Sequence, residues 1–305
     1  MKGACNGIGH PIMVVGSDRL SYSVVCGLLN AGHPVLLLAA DSEAAKDFIV
    51  NEVEDSNKLH VVSDWPANIS SKLIVMLTPD KAEIKEEFVR QVEQRASEQA
   101  VIAVNLESIC LSDVQRNSVR PSRIFGLNWT YPVHRTFFAE IIADSNSDEQ
   151  ALAQLEKWVT TYWGKDPYVA RKGFSIRARL MAAMLREGLY LIENDFASIE
   201  SVDRACRNDA GYYLPFAGNF RYMDLMGTYA YGMVMKDLNK ELSNMVTLPK
   251  ILQEKRRNGE VGMDAGKGFY TYSSEEKVYW ESIFKEFSQE IQQLITKYSH
   301  ETLDY

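Results

Sequence analysis

The chain is poor in the residue types that mark disulfide-stabilised, metal-binding and nucleic-acid-binding proteins. It has only four cysteines and five histidines in 305 residues. The cysteines, at positions 5, 26, 110 and 206, are far apart and form no C-x-x-C pair, which indicates reduced thiols and predicts no metal site. Acidic residues outnumber basic ones by 41 to 33, and the net charge of −8 argues against a nucleic-acid-binding surface.

Long apolar runs are also missing. No stretch of 18 apolar residues occurs, so no membrane span is predicted. Residues 1–10 lack an apolar segment followed by small residues, so we predict no signal peptide. These features together predict a cytoplasmic protein. Its 305 residues, 46% of them hydrophobic, are enough for two domains with a substantial core.

The first half of the chain alternates between short apolar runs and helical patterns. The helical pattern at 81–95 places Ile84, Phe88 and Val92 on one face. A second helix is predicted at 149–162. Strands are predicted at 13–15, 35–38, 73–77, 101–104, 124–127, 139–142 and 167–170. This alternation predicts an α/β fold, a Rossmann-type doubly wound parallel sheet with right-handed crossovers.

From Gly173 onward the periodicity is helical throughout. Helices are predicted over 176–192, 202–206, 222–242, 249–258 and 276–298. We therefore expect a Rossmann-type domain over residues 1–172 and an all-α C-terminal domain over 173–305. The last helix carries an apolar stripe from Ile283 to Tyr298, which could pack in its own domain or on a second subunit, and core packing is the expectation.

The turn after the first strand has the position of a dinucleotide-binding turn with altered residues. Gly16 holds the place of the first glycine of G-x-G-x-x-G, but Asp18 and Ser21 hold the places of the second and third. A carboxylate at contact distance from a phosphate is unfavourable by about 4 kcal/mol at an effective dielectric constant near 20. Arg19 could offset Asp18 by contacting phosphate, or could pair with it at the surface.

Three segments resemble the 3-hydroxyacyl-CoA dehydrogenase family. They are the opening unit that ends Ala31-Gly32-His33-Pro34-Val35-Leu36, the string Asn128-Trp129-Thr130-Tyr131-Pro132-Val133 with Phe138-Ala139-Glu140 behind it, and the run from Gly259 to Tyr272 that ends Gly-Lys-Gly-Phe-Tyr-Thr-Tyr. The likeness extends in order over about residues 11 to 272. It implies the fold described above, a small-molecule substrate for which an acyl-CoA is a candidate, and a homodimer formed through the helical domain.

The resemblance also implies a site in which NAD accepts a hydride and a histidine, oriented by a glutamate, acts as base. Asn128 occupies the position of that histidine and has no titratable group, whereas the glutamate is kept as Glu140. Glu107 and Arg177 stand at the positions of the substrate-binding serine and asparagine. The ribose-binding acid falls on Ala39, two residues before Asp41, which could replace it. NAD binding is therefore expected to be weakened or lost.

Two interpretations of these changes stay open. Glu107, Glu140 and Arg177 could form a salt bridge that fills a disused site, or a site for a different, charged ligand. The corresponding functional hypotheses are an NAD-linked oxidoreductase of 3-hydroxyacyl thioesters or related hydroxy acids with a degenerate active site, and a non-catalytic relative that acts as a binding or assembly module. His134 or Tyr131 could also replace the missing base.

Overall fold

The computed structural model describes residue 8 and residues 10–298, so Cys5 lies outside the described part. Those residues form one eight-stranded sheet of order β3-β2-β1-β4-β5-β6-β7-β8. All neighbouring strands are parallel except β6 and β7. The strands are β1 (Ile12–Val15), β2 (Val35–Leu38), β3 (Leu59–Val62), β4 (Leu73–Met76), β5 (Val101–Val104), β6 (Ile124–Trp129), β7 (Phe138–Ile142) and β8 (Asp166–Ala170).

Helices cover both faces of the sheet, which confirms the doubly wound α/β prediction. The connecting helices are α1 (Arg19–Asn30), α2 (Ser42–Glu52), α3 (Ala82–Glu93), α4 (Leu111–Gln115) and α5 (Glu149–Lys157). One apolar cluster lies between the sheet and α1, α2 and α5, and a second lies beneath α3 and α4. The central strands β1, β4 and β5 are buried along their whole length, as expected for strands covered on both faces.

Three details differ from the sequence predictions. Strand β3 was missed because it is a half-buried edge strand without a continuous apolar run. Strand β7 is antiparallel to β6, so the sheet is mixed. In α3 the deeply buried positions are Lys85, Val89 and Val92, while Ile84 and Phe88 are only half-buried.

The helical part of the chain contains α6 (Ile176–Glu193), α7 (Ile199–Ala205), α8 (Gly211–Met226), α9 (Thr228–Leu238), α10 (Lys250–Arg257) and α11 (Ser274–Lys297). The single helix predicted over 222–242 is wrong, because Gly227 separates α8 from α9 with φ of 101°. The described residues divide into two compact units, the first ending at Ala178 and the second beginning at Arg179. The boundary predicted at 172/173 lies slightly earlier, in the turn before α6, and stays a prediction.

The two units differ sharply in how much apolar surface they bury. The first contains nearly all of the buried core, whereas Leu189, at 9% exposure, is the one buried large apolar side chain between residues 179 and 298. The stripe of α11 does not pack into a core of this chain, since Phe284, Phe287 and Leu294 are each about half exposed. Among the described helices, none has the length and apolar character that crossing a bilayer requires.

Candidate functional site

Several of the sequence-predicted site residues lie at or just after the carboxyl ends of parallel strands. Strand β1 lies between β2 and β4, so the strand order reverses at β1 and β4. In open α/β sheets, ligands bind in the crevice outside the carboxyl ends of the strands at such a switch point. The turn that begins at Gly16 follows β1, and Glu107 and Asn128 belong to the ends of β5 and β6.

The amino terminus of α1 is closed by a side chain of this chain. Asp18 is its N-cap, and the Oδ1 atom of Asp18 accepts hydrogen bonds from the amide of Ser21 at 2.7 Å and from the Ser21 hydroxyl at 2.5 Å. Ser21 is fully buried, so its hydroxyl needs a partner within the protein. The two residues that replace fingerprint glycines therefore satisfy each other's hydrogen-bonding groups.

Neighbouring contacts fix this turn further. A Cβ atom added to Gly16 would lie 2.2 Å from the Oγ atom of Ser21 and 2.7 Å from the carbonyl oxygen of Leu77. The Oγ atom of Ser17 accepts a hydrogen bond from the amide of Ala40 at 2.8 Å, which ties the turn after β1 to the turn after β2. The backbone at position 16 therefore has no room for a side chain.

At this turn the Asp18 carboxylate occupies one of the amide donors that the pyrophosphate of a dinucleotide would use. In a dinucleotide-binding turn the helix amides and the second glycine make room for phosphate oxygens. Here the Asp18 carboxylate has taken the Ser21 amide, and a second negative charge would be repelled. Asp41 caps α2 by accepting from the amides of Glu43 and Ala44.

Asn128 is buried and forms hydrogen bonds to Leu106 and Glu140. Its Oδ1 atom accepts from the amide of Leu106 at 2.8 Å, and its Nδ2 atom donates to the Leu106 carbonyl at 2.6 Å and to the Oε2 atom of Glu140 at 2.8 Å. Asn128 and Glu140 are also direct partners in the β6–β7 ladder. Both hydrogens of the amide are used, so Asn128 has none to offer a ligand.

Glu140 is fully buried and accepts five hydrogen bonds. Besides Asn128, the donors are the Ser175 hydroxyl at 2.6 Å, the Tyr168 hydroxyl at 3.0 Å, and the amides of Ile176 at 2.7 Å and Arg177 at 3.1 Å. The last two amides belong to the first turn of α6. The carboxylate that would orient a histidine in the resembling family therefore caps a helix here, and burial together with Glu140 raises the pKa of Tyr168.

Of the two salt-bridge partners that the sequence offers for Arg177, Glu107 and Glu140, the structure pairs its side chain with Glu107. The Nη1 atom of Arg177 lies 2.8 Å and 2.9 Å from the two carboxylate oxygens of Glu107, and both side chains are partly exposed. Burial raises the pKa of Glu107, and the guanidinium of Arg177 opposes that rise. The guanidinium also lies 5.7 Å from the centre of the Phe138 ring. Glu140 is close to the pair but binds the backbone amide of Arg177, not its side chain.

A buried lysine beside this pair was missed by the sequence reasoning. The Nζ atom of Lys85, which has no exposed surface, donates to Asn105 Oδ1 at 2.8 Å and to the Thr78 carbonyl at 3.0 Å, and lies 3.8 Å from Asp80. Burial lowers the pKa of Lys85 to about 8 although Asp80 and Glu107 oppose this. Its spacing in the sequence could have indicated the burial, because Lys85 precedes the apolar residues Val89 and Val92 by four and seven positions and so shares their helix face.

The two alternative bases are not brought to Glu140. The Nε2 atom of His134 lies 4.0 Å from Glu52, at the carboxyl end of α2 and hence at the edge where the parallel strands begin. The Tyr131 hydroxyl accepts a hydrogen bond from the Nη2 atom of Arg19 at 3.0 Å. Within residues 8 and 10–298, no three His, Cys, Asp or Glu side chains are grouped so that they could hold a metal ion.

Comparison with known protein families shows which family the chain belongs to. A family model described as "3-hydroxyacyl-CoA dehydrogenase, NAD binding domain" matches residues 50–173, and one described as "3-hydroxyacyl-CoA dehydrogenase, C-terminal domain" matches residues 173–272. The two matches together cover more than half of the chain. The chain belongs to the 3-hydroxyacyl-CoA dehydrogenase family. The first match begins at residue 50, after the turn at Gly16 and after Asp41.

Individual relatives agree with the family assignment. A 3-hydroxybutyryl-CoA dehydrogenase of Mycobacterium tuberculosis is 28% identical over 273 residues, 88% of this chain and 94% of the relative. A 5-formyl-3-hydroxy-2-methylpyridine 4-carboxylate 5-dehydrogenase of Mesorhizobium japonicum is 26% identical, but the match takes in 67% of this chain and 66% of that relative. The solved structure of a dehydrogenase of the same pyridine carboxylic acid, described as an NAD+ dependent dismutase, shares the fold. Its TM-score is 0.85 at 20% identity, and the match covers 94% of this chain and 98% of that one.

Proposed function

We propose that this protein is a 3-hydroxyacyl-CoA dehydrogenase-like oxidoreductase with a degenerate active site, acting on a 3-hydroxyacyl thioester or a related hydroxy acid. The family assignment supports the reaction class. The proposal that the active site is degenerate is supported chiefly by Asn128, which occupies the position of the family's histidine. Its amide hydrogens are bonded to Leu106 and Glu140. General acid–base catalysis contributes typically 10²–10⁴-fold, so we expect turnover slower by about that factor than in a histidine-bearing relative.

The charged residues at the site support the same proposal. Glu107 and Arg177 replace neutral groups that hold substrate oxygens in the resembling family, and here they bind each other. Both oxygens of Glu107 contact the Nη1 atom of Arg177, so a ligand would have to displace Glu107 to reach that nitrogen. We therefore favour the interpretation that the pair fills part of the substrate position over that of a new site for a charged ligand.

The test is acetoacetyl-CoA-dependent oxidation of NADH by the wild-type protein and by Asn128→His. Wild-type turnover should be slow, and the imidazole placed opposite Glu140 should increase it. Asn128→Ala serves as the control, since it removes the amide without supplying a base. Wild-type turnover in the ordinary range of about 1–10³ s⁻¹, unchanged in Asn128→Ala, would contradict the proposed loss of the base.

The surface of the second unit supports a homodimer, which the oxidoreductase and the non-catalytic assembly module have in common. Phe220 and Tyr229 are 82% and 80% exposed, and an apolar cavity of about 800 Å³ lies among α6, α7 and residues 260–272. A helical unit with one buried large apolar side chain gains little from the hydrophobic effect to offset its conformational entropy. Exposed apolar patches of this kind mark interfaces, and we infer that a second copy of the chain covers them in a homodimer.

The homodimer is tested by light scattering coupled to size-exclusion chromatography. The wild-type protein should have the mass of a dimer at micromolar concentration, and Phe220→Glu combined with Tyr229→Glu should weaken association. Val119→Glu is the matched control, because Val119 is 78% exposed but lies in the first unit. A monomeric wild-type protein across the concentration range would exclude the homodimer.

A further inference from the structure

The turn after β1 differs from a dinucleotide-binding turn in a concerted way. Asp18 and Ser21 are joined by two hydrogen bonds through one carboxylate oxygen, and Ser21 fills the space beside Gly16 that any added Cβ would need. Replacing Asp18 alone by a residue without a side-chain acceptor would leave the buried Ser21 hydroxyl without its partner. The pair therefore behaves as one structural feature.

This feature has the chemistry of a bound anion. Dinucleotide-binding turns hold phosphate oxygens with the amides at the start of the helix, where the partial positive charge of the helix dipole favours a negative group. Asp18 supplies a negative oxygen from within the chain at 2.7 Å from one of those amides. We propose that Asp18 is an internal substitute for the cofactor phosphate, so that the turn is complete and stable without NAD and binds it weakly.

The surrounding contacts support closure of the turn. The Ser17 hydroxyl holds the amide of Ala40 in the turn after β2, and Arg19 is held by the hydroxyl of Tyr131 in the segment after β6. Ala39 supplies no carboxylate for a ribose hydroxyl. The turn after β1 is thus tied to two other segments of the first unit by side chains of this chain. The inference gives a cause for the weakened NAD binding that the sequence predicts, and it rests on the proposed function for the identity of the ligand as NAD.

The experiment measures NADH affinity and stability in matched variants. Asp18→Asn keeps the capping acceptor but removes the charge, and Asp18→Gly with Ser21→Gly restores the fingerprint glycines without leaving a buried hydroxyl unpaired. Asp148→Asn is the control, since Asp148 caps α5 in the same way from the opposite edge of the sheet. Binding is followed by NADH fluorescence and calorimetry, and stability by urea denaturation.

We expect the wild-type protein to bind NADH weakly. Asp18→Asn should bind NADH at least about tenfold more tightly, which is equivalent to about 1.4 kcal/mol of binding free energy. The double-glycine variant should bind it more tightly still. Asp148→Asn should bind as the wild type does. NADH should raise the urea midpoint of the double-glycine variant but not that of the wild type. Unchanged affinity in Asp18→Asn and in the double-glycine variant, whether weak or tight, would overturn the inference.

Affinity and turnover separate this inference from the proposed function. All of these variants keep Asn128, so a variant that binds NADH tightly without turning over acetoacetyl-CoA supports both. Fast wild-type turnover contradicts the loss of the base, whereas equal NADH affinity of the wild type and the Asp18 variants contradicts the role of Asp18.

Discussion

Replacing Glu140 by glutamine should destabilise the first unit strongly, although it changes one atom. Oε1 of Glu140 accepts from Tyr168 and from the amides of Ile176 and Arg177, and Oε2 accepts from Asn128 and Ser175. A glutamine that keeps its oxygen at the first three donors places its NH₂ group against the other two.

The magnitude follows from which donors can adapt. The Ser175 hydroxyl can rotate and accept from the new NH₂ group. Asn128 cannot flip, because its own oxygen accepts from Leu106, so one buried donor faces another. An unsatisfied buried group costs about 1–3 kcal/mol, and hydrogen bonds to charged acceptors contribute more than those to neutral ones. We therefore expect a loss of roughly 3 kcal/mol in the free energy of unfolding.

Urea denaturation followed by tryptophan fluorescence is the suitable assay. Four of the five tryptophans, at positions 65, 129, 158 and 163, belong to the first unit, so the signal reports mainly on its unfolding. Glu149→Gln is the control, because Glu149 pairs with Arg171 in solvent and should leave the midpoint unchanged. If Glu140→Gln lowers the free energy of unfolding by less than about 1 kcal/mol at an unchanged m-value, the five hydrogen bonds of Glu140 do not stabilise the unit as argued.

Three further predictions concern the same unit. The pKa values of Lys85 and Lys165 are lowered by burial to about 8 from 10.5. The unfolded chain therefore binds more protons than the folded one between these values, so stability should rise from pH 8 to pH 10, by at most about 1.4 kcal/mol per pH unit per lysine. Substituting both lysines by methionine should flatten the urea midpoint against pH, and a stability that falls over this range would contradict the lowered pKa values. A double-mutant cycle on Glu107→Gln and Arg177→Met should give a coupling on the order of 1 kcal/mol, because the pair is partly exposed, and a coupling near zero would mean that the contact is not maintained in solution. Gly16→Ala should lower the urea midpoint, and adding Ser21→Ala should not restore it because the backbone oxygen of Leu77 still obstructs the new methyl group; full recovery in the double variant would show that only the Ser21 hydroxyl obstructs it.

Much of the fold could be predicted from local patterns, because buried parallel strands are continuous apolar runs. Strands β1, β2, β4 and β5 were located within one residue in this way. The missed strand β3 has a half-buried edge pattern, and the break between α8 and α9 depends on the positive φ of Gly227, which a helical period does not reveal. The buried stripe of α3 was misplaced because Lys85 finds acceptors on Thr78 and Asn105 that are distant in sequence.

By itself the amino-acid sequence determined most of the strands and helices of the first unit, the replacement of fingerprint glycines by Asp18 and Ser21, and the lack of a titratable group at Asn128. These are properties of residue type and spacing. Only the tertiary structure decided what those residues do, because hydrogen bonds depend on distance and direction in space. It joined Asp18 to Ser21, directed five donors to Glu140 and paired Glu107 with Arg177. It also left the apolar stripe of α11 exposed, where the sequence pattern alone favoured a core.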